Sequence, residues 1–193
     1  TFEKLMKTIS KSLKKNDPNH LNLGIRYGYI EQLDDELLRI SKESFDALSF
    51  NCYALSPDHE KMNHALEISG LPMIIGEYHF GTVDRGLAQS LWQVNSQKER
   101  GDAFRYYTEN AFAHRGLIGT GWFRWIDQNI NGRTDGENYN CGFIDVTDRP
   151  YPYMVDAAIE TAKSLYEIHS GTKTPFHQTP NAVGHSPIPD LWE

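Results

Sequence analysis

The sequence contains only two cysteines, Cys52 and Cys141, among its 193 residues. Two cysteines this far apart can supply neither the disulfide framework of a small secreted domain nor the paired ligands of a zinc site. We expect both thiols to be free and buried, and we expect neither a metal ion nor a cofactor. The cysteines therefore say nothing about the redox compartment in which the protein works.

The sequence also lacks any block of lysine or arginine, and its formal net charge is −7. Nucleic acids and anionic membranes favour a concentrated basic patch, so we expect neither as a partner. A neutral, hydroxylated ligand fits this composition better. The 39% of hydrophobic residues and 12% of aromatic residues are enough for the core of one globular domain, or of a piece of a larger one.

No stretch of the sequence is apolar for long enough to cross a membrane, and no signal peptide is recognisable. Residues 1–15 are rich in lysine and predict an amphipathic helix, because Phe2, Leu5, Met6, Ile9 and Leu13 recur at helical spacing. A chain that begins inside a helix, without methionine, is more natural for a fragment than for a complete gene product. The localisation stays open at this point.

The rest of the chain repeats one unit four times, a short apolar run typical of a strand followed by a helical pattern. The predicted strands are residues 20–27, 45–51, 71–77 and 117–123, and the predicted helices are residues 34–41, 62–68, 97–115 and 153–170. Strands that alternate with helices indicate a parallel α/β sheet.

Four such units make half of a (β/α)8 barrel, or TIM barrel, and the leading helix indicates its second half, strands 5 to 8. The alternative is a small open doubly wound sheet, but the glycine-rich phosphate loop of that fold is missing. We therefore predict half of a catalytic barrel in residues 1–170. A proline-rich extended tail is predicted for residues 171–193.

Each predicted strand ends in polar or aromatic residues, at the edge where a barrel gathers its active site. These residues are Arg26, Asn51, Tyr53, Glu77, His79, Trp122, Trp125 and Asp127. Aromatic faces stack on sugar rings, polar side chains bind hydroxyls, and a carboxylate among them is what cleavage of a glycosidic bond requires. Taken singly, the tryptophans are more often core residues, and a glutamate at a strand end is more often merely exposed or ion-paired.

Three smaller expectations accompany this site. Trp125 is chosen over Trp122 as the platform for a sugar ring, because it lies just past the strand. The segment 131–140 lacks the repeated acidic ligands of a calcium loop, so we interpret it as a sugar-contacting loop in which Asp135, Glu137 and Asn138 either face the cleft or brace it. Residues 73–76 are expected to be buried on both faces, as in a parallel strand covered by helices.

Three segments together resemble a known family: "PMIIGEYHFGTVDRG", "GTGWFRWIDQ" and "NGRTDGENYNCGFIDVTDRPYP". They are similar to the C-terminal half of clan A glycoside hydrolases, and most similar to the agarase-type enzymes of glycoside hydrolase family 50. The resemblance implies a retaining β-glycoside hydrolase that acts on a galactan such as agarose, with an oligosaccharide or polysaccharide as its partner. It also implies a secreted or periplasmic location and makes Glu77 the nucleophile.

A retaining hydrolase needs a second carboxyl group, which in this family is a glutamate at the end of the fourth strand, usually after asparagine. No Asn-Glu dipeptide occurs in this chain. We therefore expect the isolated chain to be inactive and to require the missing N-terminal half-barrel or a second copy. The alternative is a non-catalytic half-barrel that binds carbohydrate or assembles with another chain.

The nucleophile must be ionised, so Glu77 needs a positive charge or hydrogen-bond donors beside it. Arg26 and Tyr53, at neighbouring strand ends, are the expected candidates. We predict in particular that the Tyr53 hydroxyl donates its proton to the Glu77 carboxylate.

Overall fold

The structure is a computed structural model and describes residues 1–184. The helices are α1 (Phe2–Asn16), α2 (Asp35–Ser44), α3 (His59–Ser69), α4 (Gln97–Phe112) and α5 (Pro152–His169). The strands are β1 (Arg26–Tyr27), β2 (Leu48–Asn51), β3 (Met73–Tyr78), β4 (Trp92–Gln93), β5 (Leu117–Trp122) and β6 (Val183–Gly184).

The chain divides into two units. Unit 1 comprises residues 1–52, 58–76 and 116–121, and unit 2 comprises residues 53–57, 77–115 and the chain from 122 onward. Both β3 and β5 therefore begin in unit 1 and end in unit 2.

The principal sheet has the strand order β1-β2-β3-β5, with β1 and β5 at its two edges. The pairing of β1 with β2 is parallel, and Tyr27 lies opposite Phe50. Helices α2, α3 and α4 lie between successive strands of the sheet in the sequence, as the crossovers of a parallel sheet require. The predicted α/β class and parallel sheet are confirmed, whereas the closed barrel remains a prediction.

The helices begin where the sequence supplies a side-chain cap. Asp34 accepts a hydrogen bond from the Leu37 amide ahead of α2, and Ser96 accepts one from the Glu99 amide ahead of α4. Helix α3 ends at Gly70, whose φ of 67° is the left-handed conformation that glycine adopts without strain. These local signals explain why the predicted helix positions agree with the structure to within a few residues.

In unit 1, α1 packs on α2, and Met6, Ile40 and Phe45 form a buried apolar cluster. Met73 and Ile75 of β3 are fully buried, but Ile74 and Gly76 between them are only partly buried. The expectation that residues 73–76 are buried on both faces is therefore wrong, because one face of the strand is covered only in part.

The first predicted strand is also corrected. Residues 20–25 are not part of β1, which has two residues instead of the eight predicted. Their backbone bonds elsewhere, since the Asn22 amide donates to the Asp46 carboxylate at 2.7 Å, and Gly24 has a φ of 72° that breaks an extended strand. Leu21, Leu23 and Ile25 are left exposed.

Unit 2 is built on the packing of α4 against α5. Phe104, Tyr107 and Ala111 of α4 are buried, and Tyr107 stacks on Tyr78 at the end of β3 with 4.1 Å between ring centroids. After α5, the Phe176 amide donates to Glu109, and β6 pairs with β4. Residues 185–193 of the predicted tail lie outside the described residues, and the domain boundary at 170 stays a prediction.

Within residues 1–184, none of the helices has both the length and the apolar composition needed to span a bilayer.

Two glycines of β5 provide a matched test of the sheet geometry. A Cβ atom added at Gly121 would lie 2.6 Å from the Gly76 carbonyl oxygen, whereas one added at Gly119 would make ordinary contact with Ile74 at 3.6 Å. We expect Gly121→Ala to lower the free energy of unfolding by about 1–3 kcal/mol, and Gly119→Ala to change it by less than about 1 kcal/mol. Urea unfolding of the two variants checks this, and equal losses would contradict the close approach of β3 and β5.

Candidate active site

Glu77 lies near the C-terminal end of β3, where the alternation of buried and partly exposed residues is interrupted. Met73, Ile75 and Tyr78 are buried, whereas Ile74, Gly76 and Glu77 are partly exposed. A strictly alternating strand would put Glu77 on the same face as Met73 and Ile75. The burial pattern instead shifts by one residue after Gly76, so that Glu77 follows the partly exposed series and its carboxylate is accessible.

The Tyr53 hydroxyl donates a hydrogen bond to Glu77 Oε2 at 2.9 Å, as the sequence predicted. Tyr53 follows the end of β2 by two residues and begins the short segment 53–57 of unit 2. Burial, and then the negative charge of Glu77, raise the pKa of Tyr53 far above its usual value. The phenol therefore stays protonated and remains a donor to the carboxylate at every working pH.

His79 occupies a different place from the one predicted for a sugar-binding residue. Its side chain is only 1% exposed, and both ring nitrogens are bonded to backbone. Nδ1 lies 3.0 Å from the Phe123 carbonyl oxygen, and Nε2 accepts a hydrogen bond from the Leu91 amide at 3.2 Å. Burial lowers the pKa of His79 to about 3, so the ring is neutral. It has no free atom to offer a sugar hydroxyl.

Asp127 also differs from its predicted role, because its carboxylate is buried in a network of protein donors. Oδ1 accepts from the Gly142 amide at 2.7 Å, and Oδ2 accepts from Asn140 Nδ2 at 2.8 Å and from the Tyr151 hydroxyl at 2.6 Å. Both oxygens are thus bonded to the protein. Through these hydrogen bonds, Asp127 holds the chain that follows β5 in place.

Sequence reasoning missed Arg100, the central member of this network. The fully buried guanidinium donates to the carbonyl oxygens of Asn140 and Gly142 at 3.0 and 2.7 Å, and lies 4.4 Å from the centre of the Tyr151 ring. A signal was present in the sequence. Arg100 stands four residues before Phe104 on the apolar stripe of α4, where an arginine with no partner would be costly.

Glu137 and Asn138 brace the loop rather than extend from it. Glu137 accepts a hydrogen bond from Gln128 Nε2 at 2.7 Å and pairs with Arg133 at 3.2 Å. Asn138 Oδ1 accepts from the Ala88 amide at 3.1 Å, and its Nδ2 donates to the Ile130 carbonyl oxygen at 3.3 Å. Of the two placements that the sequence left open, these contacts favour bracing.

The two tryptophans after β5 have different surroundings. Trp122 packs edge-on against Tyr78, Phe104 and Phe143, and its indole N–H donates to the Cys141 carbonyl oxygen at 2.7 Å. These contacts make Trp122 part of the aromatic core. Trp125 is 68% exposed and stacks on Phe143, with 5.9 Å between centroids and 21° between ring planes. Trp125 is therefore the indole with a face available to a ligand.

The remaining predicted residues, Arg26 and Asn51, belong to unit 1. Arg26 lies on β1, and its aliphatic carbons occupy the space in which a side chain at Gly76 would have to fit. Asn51 ends β2 and is partly buried. The packing of Arg26 explains why β3 has a glycine one residue before Glu77.

A cavity of about 540 Å³ opens elsewhere in unit 2, between loop residues that include Arg85, Ile130, Asp145 and Arg149. Glu77 and Tyr53 are not among the residues that line it. We therefore locate the candidate active site by the hydrogen bond between Tyr53 and Glu77, not by the size of a cavity.

We expect the buried neutral His79 to make the folded state sensitive to acid. Its pKa is about 3 when folded, below the ordinary value of 6.5, so the unfolded chain binds a proton that the folded chain does not. Stability contributed by His79 is present above pH 6.5 and is lost as the pH falls toward 3, by up to about 1.4 kcal/mol per pH unit. Urea unfolding at several pH values should show a shallower acid slope for His79→Phe than for the unchanged protein, and parallel slopes would contradict a neutral buried ring.

No family model matches the chain. The chain is 37% identical over 166 residues to beta-agarase A of Vibrio sp. (strain JT0107), and 35% identical over 170 residues to beta-agarase B of the same strain. These matches cover 82% and 84% of this chain but only 16% and 17% of the two curated relatives.

Among solved structures, the agarase AgWH50C superimposes on 86% of this chain with a TM-score of 0.81 and 36% sequence identity, and 26% of that agarase is covered. A structure described as an exo-beta-agarase gives a TM-score of 0.80 at 34% identity, over 86% of this chain and 22% of the other. The shared sequence and the shared fold both extend over most of this chain, which is therefore a relative of the agarase-type enzymes of glycoside hydrolase family 50.

Proposed function

We propose that this chain supplies the nucleophile half of a retaining β-glycoside hydrolase that acts on a galactan such as agarose. The observation that carries the proposal is the hydrogen bond between Tyr53 and Glu77 at the C-terminal end of β3. A carboxylate at the end of a parallel strand is where a barrel enzyme positions its catalytic groups. The beta-agarases among its relatives supply the substrate class.

In a retaining mechanism, a carboxylate attacks the anomeric carbon while a second carboxyl group protonates the departing oxygen. The resulting glycosyl-enzyme ester is hydrolysed by water that the second group activates. Glu77 fits the first role, because the Tyr53 hydroxyl donates to one of its oxygens and fixes the direction of the carboxylate. Trp125, with its exposed indole, fits the stacking of a sugar ring near this carboxylate.

The second carboxyl group is expected from protein outside this chain. We propose that the sheet contributes strands 5 to 8 of a barrel and that the first four strands complete it. Two features of unit 1 support this assignment. Strands β1 and β5 are edges of the sheet, and apolar side chains are exposed beside them, with Leu21, Leu23 and Ile25 before β1 and Ile118 on β5. Exposed strand edges with apolar side chains favour pairing with further strands.

A partner that supplies those strands would also cover α1. Phe2, Leu5, Ile9 and Leu13 are exposed along this helix, although the opposite residue Met6 packs on α2. A half-barrel that binds carbohydrate or assembles with another chain without catalysis is the second candidate. The same exposed edges favour it, but it gives no reason for a carboxylate held by a partly buried tyrosine.

The polymeric substrate also bears on location. A galactan chain does not cross a membrane, so we propose that the enzyme acts outside the cytoplasm, as the resemblance implies.

The first functional prediction concerns activity. The isolated chain should not measurably hydrolyse agarose, since the loss of general acid assistance alone costs on the order of 10² to 10⁴ in rate. A chimeric enzyme, in which this chain replaces the matching stretch of beta-agarase A, should hydrolyse agarose and yield a product that retains the β configuration at the new anomeric centre. Glu77→Gln should lower kcat of the chimeric enzyme by about 10³-fold or more.

The matched control is Glu160→Gln, which removes an exposed carboxylate of α5 and should leave kcat within about twofold. Turnover by the isolated chain, or a Glu77→Gln chimera as active as the Glu160→Gln chimera, would refute the assignment of the nucleophile. An inverted product would refute the retaining mechanism.

The second functional prediction concerns assembly. The isolated chain should self-associate through its sheet edges, and Ile118→Lys on β5 should weaken that association by about tenfold or more. The control is Ile159→Lys on α5, because the two isoleucines are similarly exposed, at 54% and 47%. Sedimentation equilibrium measures both effects. A monomer at all concentrations, or equal effects of the two lysines, would contradict the open-edge proposal.

A further inference from the structure

The hydrogen bonds of His79 determine which tautomer it adopts. The Phe123 carbonyl oxygen can only accept a hydrogen bond, so Nδ1 carries the proton and donates to it. The Leu91 amide can only donate, so Nε2 carries no proton and accepts. One neutral ring therefore ties the end of β3 to the chain after β5 and to the segment before β4.

The same ring is in contact with the aromatic side chains around Glu77. The centroids of His79 and Tyr53 are 5.0 Å apart, with ring planes at 69°, so that the two rings meet edge to face. Tyr139 lies against His79 in a similar way, at 5.7 Å and 74°. Since Tyr53 bonds to Glu77 through its hydroxyl, His79 contacts the residue that holds the carboxylate.

We propose that His79 is a positioning residue, which fixes the Tyr53 ring by edge-to-face contact and thereby keeps the Tyr53 hydroxyl on Glu77. The consequence for catalysis rests on the proposed function, whereas the contact between the rings does not. A buried aromatic side chain can hold a hydroxyl in one direction only if its ring is fixed. Contact with the His79 ring supplies this constraint on Tyr53. The His79 ring is itself oriented by hydrogen bonds to the backbone of two different segments.

The critical change is His79→Phe. Phenylalanine fills nearly the same volume but leaves the Phe123 carbonyl and the Leu91 amide without their partner, so the ring is no longer oriented by the backbone. His114→Phe is the matched control, because His114 is also a buried histidine of unit 2, at the end of α4. Both changes are expected to reduce stability, and only the first is expected to change Tyr53.

The direct test is carried out on this chain by NMR, with ¹³C at Cζ of its tyrosines and with Tyr53→Phe to assign the Tyr53 signal. In the unchanged protein, Tyr53 should remain un-ionised near pH 10, where a free tyrosine side chain titrates, because burial and Glu77 raise the pKa of Tyr53. In His79→Phe, the Tyr53 signal should titrate closer to the pH of a free tyrosine side chain, while in His114→Phe it should not. A folded His79→Phe protein with an unaltered Tyr53 titration would overturn the proposal.

A conservative replacement separates orientation from simple filling of space. His79→Asn keeps an amide N–H at the position from which Nδ1 donates, although it loses the ring that meets Tyr53. We expect this variant to be more stable than His79→Phe and yet to show the same altered Tyr53 titration. Restoration of the Tyr53 signal by asparagine would show that the ring contact is not what positions the tyrosine, and would overturn the proposal.

The chimeric enzyme adds a kinetic readout. A positioning role predicts that His79→Phe lowers kcat by about tenfold or more with little change in KM, and that combining it with Tyr53→Phe costs little beyond Tyr53→Phe alone. If His79 instead bound the sugar directly, His79→Phe would raise KM. If the losses in the double variant were additive, His79 and Tyr53 would act independently. Either result overturns the proposal. Should the Glu77→Gln chimera remain active, the proposed function fails, while the NMR result still decides whether His79 positions Tyr53.

Discussion

The loops of unit 2 depend on a single buried cation, the Arg100 guanidinium. It donates to two carbonyl oxygens of the chain after β5 and lies over the Tyr151 ring, while Tyr151 and the same stretch of chain bond to Asp127. Burial lowers the pKa of Arg100, and the negative charge of Asp127 opposes that change. An arginine nevertheless stays charged in a protein interior. Loss of the groups that compensate a buried charge typically costs about 3–5 kcal/mol, because the charge is then left without its partners.

This cation explains why a long connection between β5 and α5 can be ordered with little regular secondary structure. About thirty residues without helix or strand would normally carry many unsatisfied backbone groups. Here Asp127 accepts from the Gly142 amide, and Arg100 donates to the Asn140 and Gly142 carbonyl oxygens. Gln128 accepts from the Tyr139 amide, and Asn138 donates to the Ile130 carbonyl oxygen. The chain immediately after β5 is thereby held in place, and Trp125, which lies in it, can expose an indole face without the loop collapsing over it.

The sequence predicted the order of elements well, because the caps, the apolar runs and the helical stripes are local signals. It also predicted the bond between Tyr53 and Glu77, since residues that follow neighbouring parallel strands meet at one edge of the sheet. It did not predict the roles of His79 and Asp127. A histidine or aspartate at a strand end gives the same sequence pattern in two cases: when a ligand supplies its hydrogen-bond partners, and when loops distant in sequence supply them. The shift in burial after Gly76 is likewise invisible in a run of apolar residues.

The residues predicted to form a site with Glu77 therefore differ in how far the protein confines their side chains. Tyr53 is confined by burial and by the His79 ring, His79 is confined by two backbone bonds, and Asp127 is confined by the network of Arg100. Trp125 retains exposed surface. A catalytic carboxylate needs rigid neighbours to stay aimed, whereas a sugar platform needs an open face. This division supports a site in which Glu77 performs chemistry and the exposed indole binds, with the buried polar residues fixing the geometry between them.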